Sequence, residues 1–149
     1  MDNSNSCCNS FTMTDKTNPL SIEISLNVNT YDIDVAGHVN NIVYIRWLED
    51  MRSLLFPKLY SLKKLLAVNH YLVVVSSEVK YRKQIKLFDK PVGKMLLVSY
   101  SHGILLFKTE ITIDNHIAFN AIQKCVLINL KNNKMLKGDI NDFAGHLER

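Results

Sequence analysis

Residues 30–41 read TYDIDVAGHVNN, a fragment that packs two carboxylates, an Ala-Gly pair, a histidine and two asparagines into one connection. Its flanks define what it connects. On the N-terminal side Ile22, Ile24, Leu26 and Val28 alternate with Ser21, Glu23, Ser25 and Asn27, the period-two pattern of a half-buried strand. On the C-terminal side NIVYIRWLEDMRSLLF (41–56) places Ile42, Ile45, Leu48, Met51 and Leu55 at helical spacing, and Tyr44 and Trp47 widen the apolar surface. That pattern predicts a largely buried helix. The fragment is therefore a strand-to-helix connection. Asp, Asn and Gly are ordinary turn and cap residues, with Asn40 placed to be the N-cap, and Gly37 supplies either positive φ or close approach of the backbone to a ligand.

Beyond the helix, Pro57 disfavours helical geometry at Phe56, and Leu59, Leu62, Leu65 and Leu66 predict a second, short helical stretch. The remainder reads as strands. YLVVVSSEVKYRKQIKLF (71–88) is one β-rich run, closed by the turn FDKP. KMLLVSYS and ILLFKTEITI flank a His102-Gly103 turn, and IAFNAIQKCVLINL follows Asp114-Asn115-His116. A strand, a buried helix and then four strands make an α+β plan, with an antiparallel sheet wrapped around one long central helix. MLKGDINDFAGHLER (135–149) reads only as a tail or short helix.

A chain of 149 residues suits one domain, expected over residues 19–149. Residues 1–18, MDNSNSCCNSFTMTDKTN, offer little apolar surface to offset ordering entropy and are expected to form a flexible leader. They lack the apolar core of a secretory signal and the arginines of a transit peptide. No run approaches the roughly 20 apolar residues of a membrane span, so a cytoplasmic location is expected. Apolar residues make up 47% of the chain and charged ones 21%, a globular balance. The net charge of +4 comes without any nucleic-acid-binding signature. Three cysteines, two of them adjacent at Cys7 and Cys8, do not make a disulfide scaffold, and Cys125 sits in an apolar alternating run as a buried packing residue.

The pattern Asp32-x-Asp34-x-x-Gly37-His38-Val39-Asn40-Asn41-x-x-Tyr44, followed by Trp47, Glu49 and Arg52, resembles the signature of hotdog-fold thioesterases of the 4-hydroxybenzoyl-CoA thioesterase-like superfamily. It is also similar to the plant acyl-acyl-carrier-protein thioesterases, which share the His-Val-Asn-Asn-x-x-Tyr run. Those enzymes carry a functional asparagine where this chain has Ala36. The resemblance implies an acyl thioesterase acting on an acyl-CoA or acyl-carrier-protein thioester, without metal or organic cofactor, and assembled as a homodimer or homotetramer.

Thioester hydrolysis needs an activated water or a carboxylate nucleophile, and donors where negative charge develops on the carbonyl oxygen. The resemblance assigns the first to Asp34, as nucleophile or general base, and places the second near Asn41 at the start of the helix, where N–H groups are unpaired. His38 either orients Asp34 or the substrate, or packs in the loop. Gly37, Asn40 and Tyr44 are candidate substrate-contacting residues, with cap and core roles as their simpler readings.

In EVKYRKQIK the residues Lys80, Arg82, Gln84 and Lys86 are expected on one side of a strand. Lys80, Arg82 and Lys86 form either a landing strip for CoA phosphates or an acidic carrier protein, or a solvated edge that resists aggregation. A second hotdog lineage uses a helix glutamate about nine residues after its loop histidine. Glu49 stands eleven after His38, about 200° further round a helix, so it reads as structural, paired with Arg46 or Arg52. Two rival readings remain. One is a non-catalytic hotdog module that binds acyl thioesters or a partner protein. The other is a hotdog hydratase, whose Asp-His spacing and Asn-Pro element this chain lacks.

Overall fold

The computed structural model describes residues 20–138; the expected leader and most of the C-terminal tail lie outside the described residues. Strand β1 (Ser21–Ser25) leads through residues 26–40 to helix α1 (Asn41–Leu55), then helix α2 (Leu62–Ala67). Strands β2 (His70–Tyr81), β3 (Val92–Ser101), β4 (Ile104–Ile113), β5 (His116–Asn129) and β6 (Lys134–Met135) follow. They form one antiparallel sheet in the order β1-β3-β4-β5-β2, with β6 on β5. Both tight hairpins have left-handed residues at their centres, His102 and Gly103 between β3 and β4, Asp114 and Asn115 between β4 and β5. Such turns match the twist of the strands they join. Among the described residues no helix is long and apolar enough to cross a membrane.

Helix α1 lies against β1 and β3, and its long side chains reach across to β5. Val43, Tyr44, Trp47, Leu48, Met51 and Leu55 are buried. The close approach to β3 depends on Gly93, where a Cβ would stand 2.7 Å from the Met51 sulfur. The apolar stripe differs from the expected one in its first turns, because Ile42 and Ile45 are exposed. Val43 and Tyr44 take the inward positions instead, set by the direction in which the preceding connection delivers the chain.

The expected strand over 71–88 also ends early. At Tyr81 the ladder stops, and the N–H groups of Arg82 and Lys83 both donate to the Ala118 carbonyl, at 2.8 and 3.0 Å. Two consecutive donors on one acceptor break the alternation that a strand requires. Arg82, Gln84 and Lys86 therefore share no strand face with Lys80; they sit in the connection to β3. Strand β1 ends at Ser25 for another reason: the Leu26 N–H still donates in register to the Pro91 carbonyl at 2.9 Å, but proline has no N–H to return the bond.

Residues 32–40 form a miniature hairpin. Ile33 and Val39 make an isolated antiparallel bridge. Inside it the Asp34 N–H donates to the His38 carbonyl at 2.9 Å and the Gly37 N–H to the Asp34 carbonyl at 3.0 Å. Gly37 closes the loop with φ of +81°, the left-handed position of a three-residue hairpin loop. Space around its absent Cβ is open, so conformation, not close approach, requires glycine here.

One buried carboxylate ties this hairpin to the body. Asp32 is 1% exposed. Its Oδ1 accepts from Arg46 of α1 at 2.6 Å, and its Oδ2 accepts from the Asn29 backbone N–H at 2.8 Å and the Asn29 amide at 3.1 Å. Its carbonyl accepts from the Asn40 N–H at 2.8 Å. Burial alone raises the Asp32 pKa, but the hydrogen bonds from Arg46 and Asn29 and the Arg46 charge outweigh it and hold the pKa below the ordinary 3.8. A depressed folded pKa contributes stability that is fully present above the unfolded value and is lost as pH falls through the folded one. Thermal melts from pH 7 to pH 2 check this. The wild type should lose stability below about pH 4, whereas Asp32→Asn should start about 1–3 kcal/mol less stable at pH 7 and show a flatter acid limb.

Candidate active site

The hairpin delivers its residues to the N-terminus of α1. Asn40 is the N-cap: its side-chain oxygen accepts from the Ile42 N–H at 3.0 Å and its carbonyl from the Val43 N–H at 2.9 Å. With Asn40's own N–H spent on Asp32, the Asn41 N–H is left without an acceptor among the described residues. It is a first-turn donor at the positive end of a helix dipole.

A cavity of about 600 Å³ opens at this point. Asp34, His38 and Val39 of the hairpin, Asn41 and Tyr44 of α1, and Tyr81 with residues 82–84 after β2 line it. Asp34 and His38 are the closing pair of the hairpin, and directly opposed residues project to the same face. The Asp34 Oδ1 accepts from the Ala36 N–H at 2.9 Å. That bond is an Asx turn, and it also fixes the orientation of the carboxylate.

The aromatic wall is built by packing. Tyr44 lies tilted against Phe119 with ring centres 4.9 Å apart, and meets Tyr81 and Trp47 edge-on at 5.1 and 5.4 Å. Burial raises the pKa of both Tyr44 and Tyr81, so each phenol keeps its proton at neutral pH. The Tyr81 hydroxyl donates to the Asn41 carbonyl at 3.4 Å, joining the end of β2 to the start of α1. Arg82 is steadied by Nε donating to Asn120 Oδ1 at 2.7 Å.

Of the sequence-selected residues, Asp34, His38, Asn41, Tyr44 and Arg82 share this cavity. Gly37 and Asn40 shape the turn and the cap beside it. Lys80 and Lys86 are outside its lining: Lys80 pairs with Glu78 at 3.4 Å, and the Lys86 backbone N–H donates to Asp89 at 2.8 Å. Sequence reasoning overlooked Tyr81 and Lys83. An aromatic at the last residue of a strand, followed by consecutive basic residues, was the available signal.

Glu49 pairs with Arg52, while Arg46 pairs with Asp32. Burial pushes the Cys125 thiol up to about 11, against the opposing charge of Arg52, which leaves it a poor nucleophile. Among the described residues no three His, Cys, Asp or Glu side chains converge to hold a metal ion.

The fold is that of hotdog thioesterases. Similar solved structures include a DHNA-CoA thioesterase from Staphylococcus aureus (19% identity, TM-score 0.73, covering 86% of this chain and 93% of that one). The protein SAV2348 from Staphylococcus aureus, solved in complex with CoA, is similar at 15% identity and a TM-score of 0.74 over 87% of this chain and 84% of that one. YbaW, a probable thioesterase from Escherichia coli, is similar at 24% identity and a TM-score of 0.68 over 87% and 99%. At these identities the likeness speaks for the fold alone. No curated protein matches the chain. The model of the thioesterase-like superfamily matches residues 28–147, which span the hairpin, the helix and the whole of the sheet that follows. The chain belongs to the thioesterase-like superfamily.

Proposed function

We propose that the chain is a thioester hydrolase acting on acyl-CoA, with Asp34 as nucleophile or general base and the Asn41 N–H as the donor that meets the developing oxyanion. The observation that carries this reading is the meeting, in one cavity, of an oriented carboxylate and a helix N-terminal donor without an acceptor among the described residues. One Asp34 oxygen is engaged by the Ala36 N–H; the other is left to activate water or attack the thioester carbon. His38 orients the substrate or Asp34. Arg82 and Lys83 supply positive charge suited to the phosphates of CoA or to an acidic carrier protein, and Lys80 and Lys86 extend that charge outside the cavity. The CoA bound to the Staphylococcus aureus relative favours CoA as the thiol carrier.

A second reading is a non-catalytic module that binds acyl thioesters. The hydrogen bond from Ala36 to Asp34 favours it, since a turn needs that carboxylate whether or not it is chemical. Substitution separates the two. Asp34→Asn keeps the Asx turn but removes base and nucleophile. Hydrolysis of acyl-CoA, followed by free thiol, should fall by about 10²–10⁴ in kcat with the melting temperature held. An active Asn variant beside an unstable Asp34→Ala variant would make Asp34 structural.

The protein is also proposed to assemble as a homodimer or homotetramer. Strand β2 is one edge of the sheet, and its exposed Val75, with Ile42 and Ile45 on α1, leaves apolar surface that association would cover. Light scattering should give at least twice the chain mass; a stable monomer at micromolar concentration would contradict it.

A further inference from the structure

The register of β2 on β5 decides which side chains face α1. Tyr81 pairs with Phe119, Val79 with Ala121, Ser77 with Gln123, Val74 with Cys125 and Leu72 with Leu127, and opposed residues share a face. Because α1 lies over β1 and β3, the α1-facing side of β2 is left open as a trough, along which Tyr81, Ser77 and Val74 are exposed. It starts at the cavity that holds Asp34 and runs toward the C-terminal half of α1. Tyr81 and the half-buried Val79 make its first part apolar, above the fully buried Phe119 and Ala121.

One polar chain then crosses it. Glu49 of α1 pairs with Arg52, the Arg52 Nη1 donates to Gln123 Oε1 at 3.0 Å, and the Gln123 amide donates to Ser77 Oγ at 2.9 Å. The chain runs from the helix, over the floor, to the edge strand. Arg52 and Gln123 are buried, 7% and 3% exposed, and bonded to each other. Past the bar lies a second cavity of about 130 Å³ walled by Phe56, Pro57, Leu62, Tyr71 and Leu72, with Glu49 and Arg52 at its edge. That volume approaches the roughly 150 Å³ that accommodates a benzene ring. The apolar path is thus interrupted, not ended.

Two rulers place the bar. From Asn41 to Glu49 is eight residues of helix, about 12 Å. From Tyr81 to Ser77 is four residues of strand, about 13 Å. Both correspond to an extended acyl chain of medium length.

We propose that the Glu49–Arg52–Gln123–Ser77 bar is the far wall of the acyl site and limits the protein to medium-length acyl chains, a proposal that rests on the acyl-CoA reading above. A chain that stops short of the bar buries methylenes against Tyr81 and Val79. A longer one must lay hydrocarbon over a carboxylate and a guanidinium, stripping Glu49 of water with no hydrogen bond in return.

Calorimetric titration with S-alkyl-CoA thioethers, which cannot be hydrolysed, tests the wall apart from the chemistry. Up to about the decyl thioether, affinity of the wild type should rise by up to about fourfold per methylene, and then stop rising. In the triple variant Glu49→Gln, Arg52→Met, Gln123→Leu the rise should continue to longer chains, into the second cavity. Ser77→Phe, at an exposed position, should move the break to shorter chains and lower the ratio of decyl to butyl affinity about tenfold. A wild type whose affinity climbs unbroken to hexadecyl, or a Ser77→Phe variant that breaks where the wild type does, overturns the proposal. A break that shifts as expected in a protein releasing no thiol from acyl-CoA keeps the wall and removes the hydrolase. Thiol release with an unshifted break keeps the hydrolase and removes the wall.

Discussion

The buried Asp32 carboxylate is the constraint on which the site depends. A carboxylate taken out of water must be compensated by hydrogen bonds and charge, and here the compensation comes from three places at once. Asn29 closes the turn before the hairpin, Arg46 reaches from the second turn of α1, and the Asp32 carbonyl holds the hairpin's exit at Asn40. Satisfying one acid therefore fixes the entry of the hairpin, its exit and the angle at which α1 leaves it. The position of Asp34 relative to the Asn41 N–H follows from that geometry. The exposure of Ile42 and Ile45 follows as well, because the same angle turns Val43 and Tyr44 inward.

The sheet does the complementary work. Its register on β5 sets Tyr81 against Phe119 and Ser77 against Gln123, which builds an aromatic wall next to the loop and a polar bar farther along. Gly93 lets α1 settle on β3, and by drawing the helix to that side it leaves the β2 side open. Packing that stabilises one half of the molecule thus creates the trough in the other half. Function, on this account, occupies the space that the helix does not fill.

Much of the fold was legible from residues 20–55 and from the turn pairs His102-Gly103 and Asp114-Asn115, since periodicity and turn chemistry are local properties. The order of strand, buried helix and strands supplied the α+β plan, and the resemblance carried by residues 31–52 identified it as a hotdog. What sequence could not give was long-range geometry. YRKQIK alternates like a strand, yet Arg82 and Lys83 both turn to Ala118, a residue of another strand. Ile42 and Ile45 fit a helical stripe, but the stripe's direction is set by Asp32 and Arg46. Asp32 belonged to the recognised pattern without a role, because its partners are a residue before the turn and an arginine on the helix. Gln123 left a trace: it is the one strongly polar side chain among the inward positions Phe119, Ala121, Gln123, Cys125 and Leu127. Its bonds to Arg52 and Ser77 needed the tertiary structure.

The measurement that bears most directly on this account is the rate of thiol release from acyl-CoA by the wild type and by Asp32→Asn, at a temperature where circular dichroism shows both folded. A misplaced catalytic group costs rate even when every catalytic side chain is present. If the anchored hairpin positions Asp34 for chemistry, the wild type releases thiol and the variant does so at least about tenfold more slowly in kcat. Equal rates in the two folded proteins, or no release by the wild type, would contradict it.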